Sequence, residues 1–140
     1  MPVNVPMQRP EKVIRLIHLS LMIGVVSIAA AIVAARVAGG ASPPNVPVSV
    51  GFILAGIGVV AIAISLAVMR PRVGQRSSNQ SPGDFWDPAR CAAVTVVWAL
   101  LEGGGLAGVV GYFASAQWAP LALVPVSLLA LFFTRPGAFE

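Results

Sequence analysis

Charge is what this chain has least of. Of 140 residues only 10% are Asp, Glu, Lys or Arg, against 57% hydrophobic, and the acids number five. Soluble domains carry about 25% charged residues. A surface with so few charges, at a mean hydropathy of +0.87, is not kept in water, so most of it is expected to face lipid. Cysteine and histidine are each present once, as Cys91 and His18. A single cysteine excludes an intrachain disulfide, and one Cys with one His cannot assemble a usual metal-ligand cluster. No phosphate loop and no nucleophile–base pair occurs, so neither a cofactor nor a metal is expected, and the chain reads as a non-enzyme.

What is present is a series of long apolar runs, expected to form a single domain over residues 1–140. They predict an all-α integral membrane four-helix bundle made of two helical hairpins, with helices at about 16–35, 48–69, 91–114 and 118–134. About 20 residues at 1.5 Å each cross a hydrocarbon core of about 30 Å. The first run is too long for a cleaved signal peptide, whose apolar core is about 7–15 residues. None of the runs alternates apolar with polar, which excludes barrel strands. Gly39, Gly40, Pro43, Pro44 and Pro47 break the chain after the first run, and Pro125 in the fourth predicts a kink.

The net charge of +4 raises nucleic-acid binding as a possibility, but the basic residues flank the apolar runs, where they set orientation and meet anionic headgroups. Arg9, Lys12, Arg15, Arg70, Arg72, Arg76, Arg90 and Arg135 fall on one side of a four-pass chain and only Arg36 on the other. The positive-inside bias puts both termini and the loop of about 70–90 in the cytoplasm. The expected location is a bacterial inner membrane. That loop contains GQRSSNQSPGD and reads as a flexible solvated linker, with Trp86 before the third helix and Trp118 in the last outer loop as interfacial anchors. Asp87-Pro88 carries the signature of a helix start. Each half of the chain closes on an Arg-Pro pair, Arg70-Pro71 and Arg135-Pro136, a loose likeness compatible with duplication.

Glu102 stands in the middle of the third run. An ionised carboxylate at the bilayer centre costs at least about 2.5–3.5 kcal/mol, so it must be paired or protonated. No Lys or Arg lies at matching depth. Glu102 is therefore expected to be protonated, making it a candidate proton-binding site, or hydrogen-bonded to Ser27, Ser65, Thr95 or a backbone carbonyl, with His18 a further candidate partner nearer the cytoplasmic end; the competing reading is a polar group that glues helices together. On the opposite side of the same helix Gly104, Gly108 and Gly111 form a close-packing face, for which Gly56 and Gly58 of the second helix, along with Gly51, are candidate partners.

Ala55-Gly56-Ile57-Gly58-Val59 resembles part of the glycine-rich first helix of the proteolipid (c) subunit of rotary ATP synthases, and Ala99-Leu100-Leu101-Glu102-Gly103 resembles the segment bearing that family's ion-binding carboxylate. The resemblance implies an ion- or proton-binding role for Glu102. As a whole the chain looks like small bacterial four-pass membrane proteins. The composite expectation is an accessory or oligomeric subunit held by glycine-mediated packing, with other membrane subunits or its own copies as partners. The alternative is a proton-translocating component working through Glu102.

Overall fold

The computed structural model describes residues 10–39 and 46–140. Arg9, Gly40, Pro43, Pro44 and the loop position Asn45 lie outside them. The described residues are helical, with no strand. Helix α1 is Pro10–Ala38, α2 is Val48–Val73, α3 is the single turn Pro82–Phe85, and α4 is Pro88–Ser115. Helix α5 is Ala119–Phe133, and a last 3-10 turn covers Pro136–Ala138. Three of these, α1, α2 and α4, are long and apolar enough to cross a membrane, with mean hydropathies of 2.5, 2.7 and 1.7 in their best windows. Their outer faces carry exposed Leu16, Ile23, Val26, Phe52, Ile53, Ile57 and Val60. Apolar surface of that extent belongs in lipid, and this is a helical membrane protein. Helix α5 is apolar but shorter.

Helices α1 and α4 run past both expected ends and α2 past its second, while α5 keeps within its expected bounds. Proline opens both α1 and α4, where its missing amide hydrogen is no loss. At α4 the Asp87 carboxylate accepts from the Arg90 amide at 2.8 Å, the cap that Asp87-Pro88 foretold. Helix α2 continues through Pro71 to Val73. It does so by widening: Ser65–Met69 is a π turn, and the Arg70 amide donates to the Ser65 carbonyl five residues back. Pro71 has no hydrogen for the carbonyl of Ala67, four residues back, and its ring crowds that oxygen; the wider turn accommodates both. In α5 the expected mid-helix kink is not needed. Residues Ala119–Ala122 form a 3-10 turn, the α-helix begins at Leu123, and Pro125 falls in its first turn, where amides lack helical partners anyway.

Helix α4 is the axis of the bundle, 44% buried in its apolar window against 11% for α1 and 17% for α2. Helices α2 and α5 pack antiparallel to it and α1 parallel. Helix α1 rests on α4 and α5 rather than on α2, so the first two helices do not make the hairpin expected of them. The connection after α2 also departs from expectation. Ser81 Oγ accepts from the Asp84 amide at 3.2 Å and donates to its carboxylate, capping α3. Phe85 and Trp86 are fully buried in the main apolar cluster. Trp86 donates its Nε1–H to Glu140 Oε1 at 2.9 Å, so it is a core residue rather than an interfacial anchor. The polar stretch ahead of it masked the two aromatic residues that fold it down.

Candidate functional site

The packing between α2 and α4 is built on a seven-residue spacing. Gly51, Gly58 and Ser65 on α2 face Gly111, Gly104 and Val97 on α4, in antiparallel register. A Cβ placed on Gly58 would stand 2.7 Å from the Gly104 carbonyl oxygen, one on Gly104 would stand 2.9 Å from that of Gly58, and one on Gly111 would meet the Gly51 oxygen at 2.7 Å. At the third level Ser65 Oγ donates to the Val97 carbonyl at 2.8 Å. Only residues without side chains permit backbones this close.

Helix α5 uses the next strip of α4. Gly108 faces the Pro120 carbonyl and Leu123, and Gly105 faces the Ser127 side chain, whose hydroxyl donates to the Leu101 carbonyl. Of the five glycines expected to pack, Gly58, Gly104, Gly108 and Gly111 meet another helix within the chain. Gly56 meets nothing within 4 Å, because two residues, about 200° of helical turn, carry it away from Gly58. Gly51 takes the place expected of it. Gly103 is also open, so the costly glycine run at 103–105 has two members packed and one free.

Glu102 lies on the remaining side of α4, half-buried, and points at α1. Its Oε1 sits 3.5 Å from where a Gly24 Cβ would be. That is ordinary contact distance, so the carboxyl lies against α1 at Gly24 without needing a glycine there, and nothing in the sequence marks the position, because α1 has no glycine repeat. Among the described residues no side chain hydrogen-bonds or ion-pairs with Glu102.

The four polar residues expected near Glu102 are engaged elsewhere or turned away. Ser65 bonds Val97, as above. Thr95 Oγ1 donates to the Cys91 carbonyl of its own helix at 2.8 Å. Ser27 is exposed on α1 beside Leu19, Met22, Ile23 and Val26. His18 is buried and its Nε2 lies 2.9 Å from the Leu131 carbonyl oxygen. A carbonyl only accepts, so Nε2 carries the hydrogen and caps the end of α5. The imidazole also meets the Trp98 ring edge-on at 4.8 Å between centroids, and Trp98 Nε1–H donates to the Thr134 carbonyl at 2.8 Å. Trp98, which helical spacing puts on the Glu102 side of α4, and Thr134 thus close a small polar knot joining α1, α4 and α5 about one turn from Glu102.

Beyond Glu102 an apolar cavity of about 190 Å³ lies between α1 and α4, lined by Ile28, Ile32, Leu106 and Phe113. Nearer the end of α4, Arg36 donates to the Phe113 carbonyl at 3.0 Å, with its guanidinium near the Tyr112 and Phe113 rings. A cation on the last carbonyls of α4 is favourably placed in the helix dipole. The described residues hold no group of three His, Cys, Asp or Glu side chains that could take a metal. No family model, curated protein sequence or solved structure matches the chain.

Proposed function

We propose that this protein crosses the membrane four times, with both ends cytoplasmic, and that Glu102 is a reversible proton site on a rigid glycine-packed scaffold, making the chain a non-enzymatic, proton-binding component of a membrane system. The observation that carries the reading is the carboxyl itself. Glu102 lies at the fifteenth position of a 28-residue span, half-buried against Gly24 and without a polar partner among the described residues. The nearest cations by sequence are Arg15 and Arg36 of α1, Arg70 of α2, Arg90 of α4 and Arg135 just after α5, all near helix ends. A carboxyl that is neither paired nor fully exposed is cheapest when it carries a proton, and partial access lets the proton leave. Four-pass topology draws support from α5, whose 3-10 opening lengthens a short apolar helix.

The second reading is an accessory or oligomeric subunit. The packing glycines of α4 are satisfied within the chain, so contact with other subunits would fall to the open face of α2, where Phe52, Ile53, Ile57 and Val60 are exposed around Gly56.

Glu102→Gln separates the possibilities, because the amide keeps the size and hydrogen-bonding capacity of a protonated acid. The substitution is expected to preserve thermal stability in detergent, and a hydrophobic carbodiimide, which attacks protonated carboxyls, is expected to label Glu102 in the native protein. Misfolding of the glutamine variant together with no labelling would overturn the proton-site reading. Topology is tested separately: Ser78→Cys is expected to resist an impermeant thiol reagent applied from outside in a Cys91→Ala background, and labelling there would reverse the orientation.

A further inference from the structure

The arginines at the loop end of the bundle divide into two groups. Arg15 pairs with Glu11 at 2.8 Å and with Glu140 at 3.6 Å, and Arg90 pairs with Asp87 at 3.9 Å. Arg70, like Arg72, Arg76 and Arg135, forms no ion pair or side-chain hydrogen bond among the described residues. Of these four only Arg70 stands on the wall of a cavity of about 250 Å³ formed with Leu66, Pro71, Gly74, Gln75 and Phe139. The cavity exists because of two features of the chain at the end of α2. The π turn carries α2 through Pro71, and Gly74, at φ 74°, then turns the chain away. The Arg76 amide donates to the Phe139 carbonyl at 2.9 Å and holds the residues after α5 against that turn. Glu140, the acid next to Phe139, is occupied elsewhere: its carboxylate accepts from Trp86 and pairs with Arg15.

The walls are of two kinds. Leu66 lies one turn toward the bilayer centre and is exposed on the lipid side of α2, while Arg70 and Gln75 stand at the water end. We infer that this cavity is a headgroup site for an anionic phospholipid, with the phosphate on the Arg70 guanidinium and Gln75, and an acyl chain descending past Leu66. A guanidinium offers paired donors that fit phosphate, and a cation at the membrane interface with no protein counter-ion is complementary to an anionic headgroup. The site is independent of the Glu102 reading.

The test uses the full chain in a mild detergent, observed by native mass spectrometry with added phosphatidylglycerol or phosphatidylcholine. Wild type is expected to retain one phosphatidylglycerol in preference to phosphatidylcholine. Arg70→Gln is expected to reduce that retention about tenfold, the equivalent of one charge-assisted hydrogen bond. Gln75→Glu, which places a negative charge in the same cavity, is expected to reduce it as well, and gives a second reading if Arg70→Gln folds poorly. Arg72→Gln, outside the cavity, is expected to leave it unchanged. Equal losses in the Arg70 and Arg72 variants would mean diffuse charge attraction and overturn the site. Glycerol phosphate, which has the head but no chains, is expected not to displace the lipid; displacement at comparable concentration would overturn the lipid assignment in favour of a free-phosphate site.

Discussion

A glycine in a membrane helix is informative only when its surroundings are known. Gly56 and Gly58 are two residues apart and look equivalent in sequence, yet one is open and the other lies against a backbone oxygen. Gly58→Ala is expected to destabilise the protein by about 1–3 kcal/mol, since the added methyl must push α2 from α4. Gly56→Ala is expected to leave stability unchanged or raise it slightly, because alanine is the better helix former. Thermal unfolding of the two variants in one detergent checks both; equal effects would remove the distinction.

A different cost sits at Ala116, the residue after α4, whose φ of 58° places an alanine in left-handed conformation while its amide caps Tyr112. That conformation costs an L-residue about 1–2 kcal/mol. Ala116→Gly is expected to stabilise by somewhat less, about 0.5–1 kcal/mol, after glycine's greater loss of freedom on folding. A lowered unfolding temperature would contradict this. At Trp98 the cost is one of hydrogen bonding. Replacing it with phenylalanine keeps a ring beside His18 but strands the Thr134 carbonyl, a loss of about 1–3 kcal/mol.

Between elements, serine does what glycine does and adds a bond. Ser65 ties α2 to α4, and Ser127 ties α5 to α4, each by donating to a carbonyl of the neighbouring helix. Ser20, by contrast, bonds the Leu16 carbonyl of its own helix. Interhelical bonds of this kind contribute about 0.6 kcal/mol on average and up to about 1.7. Ser65→Ala and Ser127→Ala are each expected to lose an amount in that range, with Ser20→Ala unchanged, as measured by unfolding in detergent. The spacing 51–58–65 against 97–104–111 was legible in the sequence as a seven-residue recurrence of small residues with one valine. The GxxxG pair at Gly104 and Gly108 is the more conspicuous pattern, and those two glycines serve different partners: Gly104 meets α2 and Gly108 meets α5.

At the scale of the molecule, the loop end is a packed layer and not a fringe. Glu140 joins Arg15 of α1 to Trp86, and Phe139 is buried in the same cluster as Phe85. Phe85→Ala is expected to cost about 3–5 kcal/mol, as in a soluble core. Limited proteolysis should then reach the connection between α2 and α4 faster than in wild type. A loss within experimental error would restore the picture of a solvated linker.

The sequence by itself determined the class of this protein. Low charge and long apolar runs leave helices as the only structures that satisfy backbone groups in lipid, and that argument needs no partner. It also determined where α4 starts, because Asp87-Pro88 acts within one turn, and it isolated Glu102 as the acid without a matching cation. Tertiary structure decided everything that depends on which faces meet. It chose Gly51 and Gly58 over Gly56, laid α1 on α4 instead of α2, set Gly24 against Glu102, and took His18, Ser65 and Thr95 into bonds with backbone carbonyls. The reason is physical. Hydrophobic periodicity marks a buried face when the other face is wet, but in a chain that is apolar all round both faces look alike. Only the fit of small residues and the supply of free carbonyls at each crossing distinguishes them.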